Sequence, residues 1–140
     1  MKSNILKAYK EGRSTYVTLQ TKYGTFNGKV TCADEDLDIQ NDMDGYTFAE
    51  DKCFIQSAKK KASYLEQRAI GVTHAYNVLA KSGISENDPV MEKLKRQMNI
   101  ANREAENAKK VYLTLKNTFK THVSITLDTR RKLEQKAKKL

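Results

Sequence analysis

Val90, Leu94, Met98, Ala101, Ala105, Ala108, Tyr112, Leu115 and Phe119 recur at steps of three and four residues, which sets them on one face of an α-helix. At 1.5 Å rise per residue such a stripe is a rod roughly 45 Å long. It limits the folds open to a chain of 140 residues more than any other feature. A helix of that length needs an apolar partner, and one lies upstream, where Ala62, Leu65, Ala69, Val72, Tyr76 and Leu79 keep the same spacing. Gly83 then stands where a left-handed C-cap is needed. Asp88 can accept from the free N–H groups of the next helix, and Pro89 sits at its first position, where a missing donor costs nothing. The short connection predicts an antiparallel hairpin with a coiled-coil-like seam, either protruding or paired with a second copy of itself.

Ahead of this hairpin the period changes. Ile5, Leu6 and Tyr9 have helical spacing, with Ser3 as an N-cap and Gly12 as a stop, so a short helix is expected at about 4–11. Alternation at period two follows: Val17 and Leu19 against Tyr16, Thr18 and Gln20, then Phe26, Gly28, Val30 and Cys32 beyond the Gly24 turn. Leu37 and Ile39 suggest a third strand, the segment NDMDGY a turn, and YTFAED and CFIQ two further short strands. Five strands joined by tight turns describe a small antiparallel barrel. After Lys120, HVSITL alternates like a strand, and DTRRKLEQKAKKL reads as a final short helix capped by Asp128.

The segment from Val17 to Ile39 resembles the first signature of the Sm and Sm-like family over residues 15–57. Val17 and Leu19 stand for its first strand, Gly24 and Gly28 for its two glycines, Val30 for the next apolar position, and DEDLDI for its closing element. Asp38 occupies the place where that family has Asn, and EDKCFIQ lacks its second, Arg-Gly signature. The resemblance implies a five-stranded barrel, RNA binding and edge-to-edge assembly into rings.

Charge is unevenly distributed. Residues 1–56 hold seven Lys/Arg against nine acids, whereas residues 57–140 hold 19 against eight. The acids Asp34, Glu35, Asp36 and Asp38 form a cluster that repels phosphate; the plainer role for Asp34 and Asp38 is to fix a turn, and a divalent-cation site is a third. The basic side chains available for a polyanion are Lys59, Lys60 and Lys61, then Lys93, Lys95 and Arg96, then Lys109 and Lys110, and finally Arg130, Arg131, Lys132, Lys136, Lys138 and Lys139. Arg130 and Arg131 offer paired donors for phosphate, and the lysines act as point charges.

Other classes find little support. His74 and His122, the only histidines, have no Cys or acidic neighbour at ligand spacing, and no phosphate-cradling Gly loop or nucleophile elbow occurs. No enzyme activity, cofactor or metal is expected. Cys32 and Cys53 read as buried reduced thiols. There is no signal-like N-terminal run and no stretch long enough to span a bilayer, so a cytoplasmic protein is expected.

These readings combine into an α+β protein: a short helix with a Sm-like or SH3-like β-barrel over 1–56, a helical hairpin over 57–121, and a strand with a basic C-terminal helix over 122–140. The expected function is non-enzymatic binding of RNA or DNA, or regulation of a nucleic-acid machine, through the basic helical surface. The alternative is a protein-interaction or assembly module, of the kind a phage or mobile element uses on a host factor, with the hairpin as its interface and homo-oligomers as a consequence.

Overall fold

The computed structural model describes residues 4–139. Three strands, β1 (Asn4–Glu11), β2 (Ser14–Thr21) and β3 (Gly24–Thr31), form an antiparallel sheet in the order β1-β2-β3. A 3-10 segment (Asp34–Ile39) follows, then two long helices, α1 (Asp42–Lys81) and α2 (Pro89–Lys139). The protein is α+β, and none of its described helices is long and apolar enough to cross a membrane. The chain divides into two compact units: Met1–Ser57 with Thr114–Leu140, and Ala58–Leu113.

In the first unit β2 is the organising strand. Thr15, Val17 and Leu19 point inward and are buried, while Tyr16, Thr18 and Gln20 point outward. Val17 and Leu19 pack with Ala49 and Cys53 of α1, flanked by Phe26, Val30, Tyr46 and Phe54. The helix can approach this closely because Gly28 of β3 has no side chain: a Cβ there would lie 2.0 Å from the Ala49 carbonyl oxygen. Side chains of α1 also close the outer edge of β3, with Lys52 Nζ donating to Lys29 O (2.9 Å) and Gln56 Nε2 to Asn27 O (2.8 Å).

Several expectations are corrected here. Residues 4–11 form a strand, because an isolated eight-residue helix is marginal in water whereas β1 pairs along β2 from Asn4↔Gln20 to Glu11↔Ser14. Gly12, at φ 61°, is the first position of the hairpin turn, where a type II′ geometry needs a positive φ. Ser3, expected as an N-cap, lies outside the described residues. The five-stranded barrel does not form: Leu37 and Ile39 lie in the 3-10 segment, and YTFAED and CFIQ belong to α1. Their helical stripe is Gly45, Phe48, Ala49, Cys53 and Ser57, at steps of three and four, masked in the sequence by small and polar members. The expected NDMDGY turn is the first turn of α1, where Asn41 Oδ1 accepts from Asp44 N–H (3.0 Å) and Asp42 and Asp44 complement the helix dipole.

Residues 122–139 likewise continue α2, correcting the expected strand and separate final helix. The inward positions Phe119, Val123, Leu127 and Arg130 keep steps of four and three, and Asp128 is an exposed mid-helix residue rather than a cap. Phe48 of α1 meets Phe119 edge-on, with ring centroids 6.3 Å apart, and His122 at 5.7 Å.

Between the two long helices the expected stop and restart stand, whereas α1 begins well before the expected residue 57 and α2 runs past the expected residue 121. α1 ends at Lys81, followed by Gly83 at φ 88°. Asp88 Oδ1 accepts from Val90 N–H (2.9 Å) and Asp88 O from Glu92 N–H (3.0 Å), opening α2 at Pro89. Ala69 of the first stripe and Ala101 and Ala108 of the second are buried, whereas Val90 and Leu115 of the second are exposed and Met91, outside the expected stripe, is buried beside Val90 instead. Arg68 of α1 reaches Glu104 of α2 at 3.7 Å.

Candidate nucleic-acid interface

The acidic cluster and the arginines expected to grip phosphate find each other. Arg130 Nε and Nη2 donate to both carboxylate oxygens of Asp44, at 2.9 and 3.0 Å. Arg131 Nη2 donates to Asp36 Oδ1 (2.7 Å) and Glu35 O (3.1 Å), and its Nη1 lies 3.8 Å from Asp38. Arg13 pairs with Asp34, and Lys10 with Asp42. The forked guanidinium is thus used as its geometry suggests, with carboxylates in the place of phosphates. The hydrogen bonds from Arg130 to Asp44, then the charge of Asp44, hold that guanidinium more firmly protonated. Of the C-terminal basic residues Lys132, Lys136, Lys138 and Lys139 are exposed, with Lys138 3.4 Å from Glu134.

A cavity of about 330 Å³ lies in the same unit, walled by Ile39, Phe48, Phe119, Val123 and Leu127. The carboxylates on its rim are already paired, Asp36 with Arg131, Asp42 with Lys10 and Asp44 with Arg130, while Lys52 on the same rim donates to the Lys29 carbonyl. Cys32, half-buried, also lines it, and burial followed by the charge of Asp36 pushes its thiol up. Burial does the same for Cys53, whose Sγ donates to Val17 O at 3.4 Å. Asp51 lies 3.6 Å from His122; its carboxyl is raised above the usual range by burial, an effect that the charge and hydrogen bond of His122 oppose. His74 is exposed. Among the described residues no cluster of three or more His, Cys, Asp or Glu is arranged to hold a metal ion.

The second unit has the larger cationic surplus, 11 Lys/Arg against six acids over Ala58–Leu113. Among the described residues only Arg68 (with Glu104) and Lys110 (with Glu106) are ion-paired there. Lys59, Lys60, Lys61, Lys93, Lys95, Arg96 and Lys109 are all exposed and in no ion pair. Successive helical residues point about 100° apart, so Lys59, Lys60 and Lys61 fan out and do not make one patch. Lys59 and Lys109 line a common groove of about 340 Å³, but Glu66 and Glu106 line it too, which leaves it of mixed sign.

A cleaner alignment runs along α2. Arg96, Arg103 and Lys110 are seven residues apart, hence on one face and about 10 Å from each other along the axis. All three are exposed. Arg103 stands alone between acids and amides in the sequence, so a search for basic runs passes over it; the seven-residue interval is the signal that finds it.

No family model matches the chain, no curated protein matches its sequence, and no solved structure matches its fold.

Proposed function

We propose that this protein binds nucleic acid without acting on it chemically, through the cationic surface of the second unit. The observation that carries the reading is the set of exposed cations there, all but Arg68 and Lys110 free of ion pairs among the described residues, with Arg96, Arg103 and Lys110 in line on α2 and the exposed Lys110 held only by Glu106 one turn away. Lys59, Lys60, Lys61, Lys93, Lys95 and Lys109 supply the surrounding field in that unit; Lys132, Lys136, Lys138 and Lys139 belong to the first unit and form a separate cationic stretch. Such contacts displace counterions from phosphates and position a backbone without reading sequence. Arg130 and Arg131 drop out as phosphate ligands because carboxylates of their own chain occupy them. The Sm-like resemblance adds no support, since its closing element is a 3-10 segment whose acids pair with Arg13 and Arg131.

Fluorescence anisotropy of labelled oligonucleotides at about 50 and 200 mM salt tests this, because affinity carried by phosphate contacts falls steeply over that range. Joint replacement of Arg96, Arg103 and Lys110 by Ala should flatten the salt slope by about two to three units. Absence of binding at the lower salt refutes the proposal.

One observation favours the second reading, a protein-interaction or assembly module. Val90, Ile100 and Val111 of α2 are each more than half exposed (54%, 52% and 54%), and Ile100 and Val111 share a face outside the buried stripe. A helix–helix contact with a second copy or another protein would cover them. Light scattering at micromolar concentration decides for self-assembly, and a V111E substitution should dissolve any oligomer formed this way.

A further inference from the structure

The two faces of the sheet differ in chemistry. Beneath it Val17 and Leu19 are covered by Ala49 and Cys53. The register puts Tyr9, Tyr16 and Lys29 in one row across the opposite face, and Lys7, Thr18 and Asn27 in the next. The central-strand members are half-buried by their neighbours, and those on the edge strands are exposed. The rings of Tyr9 and Tyr16 stack at 4.8 Å, inclined by 10°. Lys7 Nζ lies 4.8 Å from the centre of the Tyr9 ring. Lys29, on the strand beyond Tyr16, places its Nζ 5.4 Å from that ring.

Cross-strand tyrosines alone would be ordinary sheet stabilisation. The surroundings point further. Among the described residues Glu11, at the turn end, is the only acid on this face. The Asn27 carboxamide oxygen accepts from Thr18 Oγ1 at 2.8 Å, which leaves its NH₂ free to donate outward. Gln56 and Lys52 grip the backbone carbonyls of Asn27 and Lys29, so both residues are held from the sheet edge. The face therefore presents aromatic planes, cations within a few ångströms of them, and an amide donor on a rigid support.

We infer that this open face binds single-stranded nucleic acid by stacking unpaired bases on Tyr9 and Tyr16 while Lys7 and Lys29 pair with the flanking phosphates. The inference rests on the reading that the partner is nucleic acid, and adds that its bases are unpaired. A duplex keeps its base faces inside the stack, out of reach of a sheet. Stacking requires an exchange: each ammonium leaves its ring for a phosphate oxygen and a base takes the vacated plane. Charge complementarity selects a polyanion over a neutral ring-stacking ligand such as a sugar.

The chain has no tryptophan, so Y16W introduces a single indole reporter at the site. The probes are an oligothymidylate and an oligouridylate of about 12 nucleotides, and a duplex of equal length, at about 50 mM salt. Single strands are expected to quench the indole emission of the Y16W protein and the duplex to leave it unchanged. Y9L with Y16L, which keeps apolar bulk without a π-face, should weaken single-strand binding by about five- to 100-fold and leave duplex binding unaltered. Binding by anisotropy without quenching, or unchanged single-strand affinity in a Y9L/Y16L protein that melts like the parent, overturns the inference and leaves the nucleic-acid reading standing. If Y16W does not fold, the Y9L/Y16L comparison decides alone. No binding of any probe at low salt overturns both.

Discussion

Replacing Gly28 by Ala adds one methyl group at the closest approach of sheet and helix. The new Cβ would lie 2.0 Å from Ala49 O, 2.9 Å from Ala49 C and 3.0 Å from Cys53 Sγ. The first two atoms are backbone and cannot rotate aside. Since such contacts do not come within 3.0 Å, β3 and α1 must separate by about 1 Å, loosening Ala49 and Cys53 from Val17 and Leu19. Overpacking of this kind costs about 1–3 kcal/mol, occasionally more, and an unyielding backbone neighbour places it at the top of that range. Lower chain entropy in the unfolded state returns about 0.5–1 kcal/mol, so a net loss of about 2–2.5 kcal/mol is expected. Gly71, inside α1 with nothing within 4 Å of its added Cβ, is the matched control: the same change there should gain about 0.5–1 kcal/mol of helix propensity. Urea unfolding read at midpoint and slope compares the two. A G28A protein within about 1 kcal/mol of the parent, or two variants shifting in the same direction, would refute the packing argument.

Three further outcomes are expected. R130A should lower the urea midpoint, because Asp44 (side chain 16% exposed) loses a two-pronged partner, yet leave the salt dependence of oligonucleotide binding unchanged; a flattened slope would return Arg130 to the interface. Burial raises Asp51 above its usual carboxylate range, so the native state holds a proton that the unfolded state has released. That contribution is present below the unfolded value near 3.8 and lost as pH climbs through the folded one. D51N should therefore flatten the decline in stability across that window, measured by urea unfolding from about pH 3 to 7. Cys53 is fully buried and its thiol is held protonated, so iodoacetamide at neutral pH should leave it unlabelled in the native protein and modify it after unfolding in urea; rapid native labelling would contradict the packed core.

Local chemistry was enough for the parts of this protein that repeat or punctuate. The alternation of Val17 and Leu19, the tight turn before Gly24, the stop at Gly83 and the Asp88-Pro89 start depend on neighbours close in sequence, and the structure has all of them. Stretches whose partners come from afar are not legible in this way. Ile5, Leu6 and Tyr9 carry helical spacing, but a strand eight residues long opposite them supplies backbone partners that an isolated helix would lack. Phe48, Ala49, Cys53 and Ser57 look unremarkable until a sheet containing Gly28 lies against them.

The candidate interface divides the same way. Composition alone established a cationic excess and its concentration beyond residue 57. It also suggested that the acidic segment would not hold phosphate. Tertiary structure decided which cations remain available, because ion pairing depends on separation in space: Asp44 and Arg130, 86 residues apart in the chain, are 2.9 Å apart in the fold. The same closure brings Arg131 to Asp36 and leaves Arg96 and Arg103 without carboxylate partners among the described residues. It also stacks Tyr9 on Tyr16 beside Lys29, a cluster whose members come from three different strands. A sequence determines which charges and rings exist; only the folded chain determines which of them have already been used on one another.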